Sequence, residues 1–395
     1  LRLRLQEGSL LGWIFLIPWI SLTCPDIQAA PRPLPFINSD HASPINIEAE
    51  TGEKTVKKTK AYKPGITIVP LLYYTPETRI AFGAGGNINY RLGPNKKKAR
   101  PSSLWLTAIY TQNKQYQLSL KPEIYLNNNS IVLAAYIKQE RFPQKFFGVG
   151  NGLGLSVSGE TYTPEDTLIQ LSASKRIWKA LYGGVQYEAE FTKIKNLLPG
   201  GLLDTGEIYG VEGGLASGLG FNLTWDNRDS IYFPRHGQYL SMVADAYVAA
   251  LGSDFLFRSL KLDLRSYLPF ASNHALGLQL YMRITSGSPP FYRLSMLGGD
   301  TILRGYYKGL YRDKNLIALQ AEYRAPVSKR FGVAGFVGLG KVGSRLSDLL
   351  PSGIKSSIGT GFRYKFDIQE GANIRLDFAW GKGTFGMYIT AREAF

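Results

Sequence analysis

The stretch NIRLDFAWG, residues 373–381, alternates without a break. Ile374, Leu376, Phe378 and Trp380 share one parity, and Asn373, Arg375 and Asp377 share the other. Successive side chains of a β-strand point to opposite faces, so this segment is predicted to show one apolar and one polar face. Ahead of it, Ile317, Leu319, Ala321 and Tyr323 alternate with Gln320, Glu322 and Arg324. After it, Phe385, Met387, Ile389 and Phe395 fall on one parity. A half-buried sheet in water would alternate in the same way. What separates the two readings is how often the pattern recurs.

It recurs along the chain from Gly65 onward, in segments of about ten residues, the length that spans a membrane as a tilted strand. The expected strands begin near Gly65, Thr78, Ser103, Gln115, Ser130, Asp166, Ala180, Val211, His236, Phe255, His274, Leu316, Arg330, Ile354, Gly371 and Thr384. Sixteen is an even number, as single-chain bacterial barrels require. No convincing amphipathic helix interrupts them, and no second apolar layer is present to cover a sheet in water. The expected fold is all-β, a transmembrane antiparallel barrel with lipid outside and charged groups in the lumen. Closure also satisfies every backbone polar group inside lipid. With the N-terminus in the periplasm, the long connections near 141–165, 194–210, 286–315 and 342–353 all lie outside. Residues 91–102 and 226–235 are the exceptions to short periplasmic turns.

Composition agrees. No apolar run reaches the roughly 18 residues of a membrane helix. Tyrosine (24) and glycine (43) are abundant, whereas cysteine (1) and methionine (4) are scarce, which suits a barrel wall. The net charge is +16, yet the basic residues are spread over the chain, with one compact run at Lys96, Lys97, Lys98 and Arg100. Nucleic acid is not an expected partner. Basic groups at the rims suit outer-membrane lipid and lipopolysaccharide. Cys24 falls in the leader described next, so disulfides, a zinc cluster and thiol chemistry are not expected, and no metal or cofactor is called for.

Arg2 and Arg4 precede an apolar stretch from Leu10 to about Leu22, and Ala29 and Ala30 follow. That order is the one of a cleaved export signal, placed at residues 1–30. Pro18 and the short length count against a buried or membrane helix. A lipid-anchored Cys24 is disfavoured by Leu22 and Thr23 before it. Residues 31–63, with Pro31, Pro33, Pro35 and Pro44 and then a Lys-rich run, read as a flexible periplasmic linker. The barrel is placed at 64–395.

Three segments carry a family resemblance: LTWDNRDSIYFPRHG (223–237), LGGDTILRGYYKG (297–309) and AEYRAPV (321–327). With GTGFRYKFD, IRLDFAWG and FGMYITAREAF in the same order, they resemble the barrel of the BamA/TamA family, also called bacterial surface antigens. The likeness covers residues 211–395 well and the earlier barrel by strand pattern only. It implies an extracellular loop folded into the lumen, turned by Gly298, Gly299 and Gly305, with Arg304 and Tyr306 at its tip. An enclosed cation needs a partner. The resemblance implies two acids on neighbouring strands. Glu322 matches the first. The second belongs to a Phe-x-Asp-x-Gly motif that here reads FVGLG (336–340), with Gly338 in the acid's place. Asp377, on the lumen parity, is the expected substitute. Asp226, Arg228 and Asp229 can pair across a periplasmic turn that Pro234 and Gly237 shape. Phe385, Met387, Ile389 and Phe395 resemble the C-terminal signal read by barrel-assembly machinery, with Phe395 lipid-facing at the end of the last strand.

Three functions follow as expectations. The first is outer-membrane protein insertion or translocation, implied by the resemblance, with unfolded outer-membrane clients. Its client-receiving periplasmic domains do not fit into residues 31–63, so a separate periplasmic partner is expected. The family mechanism implies lateral opening between the first and last strands, where Pro70 weakens the first. The second is a loop-plugged pore for solutes or ions. The third, an enzyme, is not expected, because only His41, His236 and His274 could act as imidazole bases and none sits in a recognisable catalytic motif.

Overall fold

The computed structural model describes residues 65–75, 79–90, 92, 102–112, 114–152, 159–205, 207–230, 233–271, 273–350, 352–365, 373–391 and 393–395. The expected leader and linker, with Cys24 and His41, and the basic run at 96–100 lie outside them.

The strands are β1 (Gly65–Thr75), β2 (Arg79–Tyr90), β3 (Ser102–Thr111), β4 (Tyr116–Leu126), β5 (Ile131–Arg141), β6 (Gln144–Phe146), β7 (Glu160–Trp178), β8 (Leu181–Lys195), β9 (Gly214–Asp226), β10 (Gly237–Tyr247), β11 (Phe257–Phe270), β12 (His274–Gly287), β13 (Ser295–Leu297), β14 (Tyr311–Asp313), β15 (Asn315–Pro326), β16 (Phe331–Gly343), β17 (Lys355–Lys365), β18 (Asn373–Gly381) and β19 (Thr384–Ala391). All but the three-residue β6, β13 and β14 are wall strands, sixteen in number. Each wall strand pairs antiparallel with the next in chain order. Among the described residues the sixteen therefore form one up-and-down antiparallel sheet, the wall of the expected barrel. Among the described residues no helix is long and apolar enough to cross a membrane.

The two faces of the wall follow the alternation. On β18 Asn373, Arg375 and Asp377 are buried, while Trp380 is exposed. On β8 the buried residues are Tyr182, Gln186, Glu188, Glu190 and Thr192, while Val185 and Phe191 face out. An exposed apolar outer row is the surface that lipid covers; a polar inner row is stable only where it finds partners. The β1–β2 register runs unbroken past Pro70.

One strand differs from expectation. β7 begins at Glu160 rather than near Asp166. Pro164 and Glu165 fall in the expected 141–165 connection, but their pairing with Ile194 and Lys193 of β8 carries the ladder through them. The extension gives β6 its partner, Gln144 opposite Tyr162.

Two inner clusters flank the connection between β12 and β15. Phe291, Tyr292 and Leu294 pack with Phe146, Tyr162, Leu203, Tyr247, Phe255 and Phe257. Leu297, Leu303, Tyr306, Leu310 and Tyr311 pack with Phe147, Leu316, Ala318 and Val342. That connection thus touches the inner face at both β7–β11 and β15–β16.

Candidate functional site

The connection from Ser288 to Lys314 is pinched by the β13–β14 ribbon, in which Ser295 pairs with Asp313 and Leu297 with Tyr311. Beyond the ribbon the backbone turns sharply. Gly298 has φ +103°, and a Cβ there would lie 2.3 Å from the Tyr307 carbonyl oxygen. Gly305 has φ +106°, and its Cβ would lie 2.9 Å from the backbone of Trp380. Only glycine combines that conformation with so close an approach to β18. The tip is tied to the wall by hydrogen bonds. The Gly305 N–H donates to the Tyr388 hydroxyl at 2.9 Å. The buried Tyr306 hydroxyl donates to the Ser356 carbonyl at 2.8 Å and accepts the Lys382 N–H at 2.9 Å. Gln320 holds both the Leu303 N–H, at 3.0 Å, and the Thr301 carbonyl, at 2.8 Å.

Arg304, 1% exposed, lies between two strands. Its Nη2 is 2.5 Å from Glu322 Oε2 on β15, and its Nη1 is 2.6 Å from Asp377 Oδ2 on β18. Its guanidinium carbon sits 3.4 Å from the centre of the Phe336 ring. The planar fork of arginine can meet two acids and an aromatic face at once, which a lysine cannot. The acids are shared with the wall. Glu322 also accepts from Arg324 Nε at 2.8 Å and Arg363 Nη2 at 3.2 Å. Asp377 also accepts from Arg363 Nη1 and Arg375 Nη1, each at 2.6 Å. Arg375 reaches back to the loop, 3.2 Å from Asp300 Oδ2. The loop therefore offers a cation to wall acids and an acid to a wall cation. Buried charges in such a network are tolerable because each has several partners.

Glycines carve the floor. A Cβ on Gly338 would lie 2.8 Å from Leu303 Cδ1. Loop residue Leu303 thus occupies the space over Gly338, and the second acid on Arg304 is Asp377 of β18. A Cβ on Gly359 would strike the Phe336 ring at 2.3 Å, and one on Gly361 would strike Asp377 Oδ1 at 2.1 Å. The two β17 glycines let Phe336 lean from β16 and Asp377 from β18 until both meet Arg304.

Sequence reasoning missed a second anchor. Arg293, on the near limb of the same connection, pairs with Glu188 and with Glu190 Oε2 at 2.5 Å, both on β8. Tyr247 of β10 completes the clamp, its hydroxyl donating to Glu188 at 2.6 Å. The inward parity of Glu188 and Glu190 was legible in EAEF (188–191), but nothing local linked them to an arginine about a hundred residues away. Arg324 and Arg375, each two residues from its acid and on the polar parity, were legible as inner residues but not as members of the site, and Arg363 and Phe336 were not singled out.

In the turn from β9 to β10, Arg228 clasps Asp226 through Nε at 2.8 Å and Nη2 at 2.7 Å. Burial works against the Arg228 charge, but the hydrogen bonds and charge of Asp226 outweigh it and raise the guanidinium pKa. Asp229 does not join that pair. It accepts the N–H groups of Arg235 at 2.9 Å and His236 at 3.3 Å, closing the turn on itself. Pro234 is buried, and Gly237, at φ +103°, would place a Cβ 2.6 Å from the Asn227 carbonyl oxygen. His274 meets the Tyr323 hydroxyl at 2.6 Å, and His236 Nδ1 lies 3.4 Å from Asp229 Oδ2.

Phe385, Met387 and Ile389 are exposed on the outer face of β19. Phe395 is not: the expectation that it extends this lipid-facing row is corrected. β19 ends at Ala391, and Phe395 is 3% exposed, packed with Tyr267 and Ala394. Parity assumes that the strand continues, and here the chain leaves the sheet and turns inward toward polar partners.

A family model described as the Omp85 superfamily domain matches residues 81–386. Among curated proteins none matches. Among solved structures, BamA from Haemophilus ducreyi lacking POTRA domains 1–3 is similar at 14% identity and a TM-score of 0.57, over 87% of this chain and 74% of that one. CdiB from Acinetobacter baumannii is similar at 14% identity and a TM-score of 0.51, over 80% and 55%. CdiB from Escherichia coli is similar at 11% identity and a TM-score of 0.54, over 83% and 61%. The chain thus spans less than two thirds of the CdiB proteins and about three quarters of the BamA chain.

Proposed function

The chain belongs to the Omp85 superfamily of bacterial outer-membrane β-barrels, and we propose on that premise that it inserts or translocates outer-membrane polypeptides in the manner of BamA and TamA. Barrels of this superfamily act in outer-membrane protein insertion or secretion and are not enzymes. The observation that carries the finer reading is the Arg304 clamp on Glu322 and Asp377. A plain wall has no need of a buried arginine held by strands on either side of β16 and β17. Such a clamp suits a barrel whose loop must keep a fixed position while the wall strands flex. Unfolded outer-membrane proteins are the proposed clients. A separate periplasmic protein is the proposed partner that delivers them, and lipid and lipopolysaccharide surround the outer face. Residues 1–30 act in this proposal as the export leader, residues 31–63 as a periplasmic linker and 64–395 as the barrel; amino-terminal sequencing of the outer-membrane form tests that division.

The test of function is a depletion strain complemented with Arg304→Ala. Loss of other barrels from the outer membrane on depletion, unrelieved by the variant, supports the proposal. Normal barrel levels with altered solute permeability would overturn it in favour of a loop-plugged pore.

A further inference from the structure

The residues after β19 are placed where a wall strand would not put them. Glu393 lies 2.8 Å from Arg363 Nε and 3.6 Å from Arg324 Nε, and it accepts from Asn373 Nδ2 at 2.5 Å. The main-chain oxygen of Phe395 accepts from Arg324 Nη2 at 2.9 Å. The Phe395 ring rests on Gly277 of β12, where a Cβ would come within 3.1 Å of Phe395 Cε2. Arg324 stands 5.6 Å from that ring and 5.7 Å from the ring of Tyr267. The tail follows β19, yet its partners stand on β11, β12, β15, β17 and β18.

We propose that residues 393–395 are an intramolecular ligand of an inner-face acceptor built from Tyr267, Gly277, Arg324, Arg363 and Asn373, and that this docking is energetically coupled to the Arg304 lock. The acceptor has the parts of a specific peptide site. A cationic pair takes the carboxylate, a backbone acceptor is met by Arg324, and a glycine-floored slot holds the ring. The coupling lies in the shared arginines. Arg324 bonds Glu322, and Arg363 bonds both Glu322 and Asp377, the two acids that hold Arg304. Glu393 is one of four acids, with Glu322, Asp377 and Asp300, that meet the four buried arginines Arg304, Arg324, Arg363 and Arg375. When the tail leaves, the charge of Glu393 goes with it, Arg324 and Arg363 draw harder on Glu322 and Asp377, and Arg304 is held less well. The effect is reciprocal, so freeing Arg304 weakens the docking of the tail. The last strand and the lumenal loop then behave as one switch. This inference rests on the geometry alone and is independent of what the barrel transports.

Hydrogen exchange read by mass spectrometry on the full chain, in lipid nanodiscs, tests it. Gly277→Leu fills the ring slot without touching an ion pair, and Phe395→Ala removes the ring. Both should speed exchange in residues 384–395 and, at a distance, in 298–309, by a factor on the order of tenfold, with residues 181–195 unchanged. Arg304→Ala should in turn speed exchange in 384–395. Tail exchange that rises while 298–309 stays as in the parent overturns the coupling. Tail exchange that does not rise in either variant overturns the acceptor. If Gly277→Leu fails to give the heat-modifiable folded band, Phe395→Ala and Glu393→Gln carry the same comparison.

Discussion

Removing the cation and removing its acid should not be equivalent here. Arg304→Ala withdraws one guanidinium from Glu322 and Asp377. Glu322 keeps Arg324 and Arg363, and Asp377 keeps Arg363 and Arg375. Neither acid is left as a lone buried charge, so the loss stays near the low end for a broken buried pair, about 3 kcal/mol. Glu322→Gln keeps the volume but leaves Arg304, Arg324 and Arg363 without their common acid. Only Asp377 and Glu393 then remain to neutralise them, and the cost should reach the upper end, about 5 kcal/mol. The gap of roughly 2 kcal/mol lies well above what urea titration of a detergent-solubilised barrel resolves. Arg304→Lys should fall between parent and alanine variant, because a point charge cannot reach both acids. The order parent, Arg304→Lys, Arg304→Ala, Glu322→Gln in falling stability is the expected outcome. An alanine variant as unstable as Glu322→Gln, or more so, would refute the reasoning, since it would mean that the wall arginines do not neutralise the acids.

Three further outcomes are expected. Gly338→Asp restores the acid of the family motif but drives a Cβ into Leu303; it should destabilise by about 1–3 kcal/mol, and adding Leu303→Ala should return much of that loss in the same titration. Gly305→Ala meets both a positive φ and the Trp380 backbone, so the loop should release, seen as faster trypsin cleavage at Arg304 and Lys308 in otherwise heat-modifiable protein. Arg293→Ala leaves Glu188 and Glu190 facing each other without their cation; it should cost about 3–5 kcal/mol, and parent-like stability would show the second anchor to be idle.

Much of the wall was legible without coordinates. β18 and β15 announced themselves by parity, and Glu322 and Asp377 fell on the inner parity by that rule alone. Arg304 stood out as an enclosed cation only once the family motif placed its loop. The start of β7 was placed late because Pro164 and Glu165 look like loop residues until β8 supplies the partner strand. Arg293 was silent, because its acids lie far away in sequence and nothing near it in the chain marks it as buried.

Alternation is a local, period-two property of the backbone, so the number and order of the wall strands and the outward rows of β15 and β18 could be read without coordinates. The family resemblance, not parity, supplied the expectation of a lumenal arginine held by Glu322 and Asp377. How Arg304 meets Glu322 and Asp377 depends on side chains from four strands and a loop converging at one point, which only the folded chain brings together. There a leucine fills the space over Gly338, and the glycines of β17 let Asp377 lean in from β18. The same holds for Phe395, whose parity pointed to lipid. Its place was decided by an arginine and a glycine on strands that become its neighbours only when the wall curves round to them.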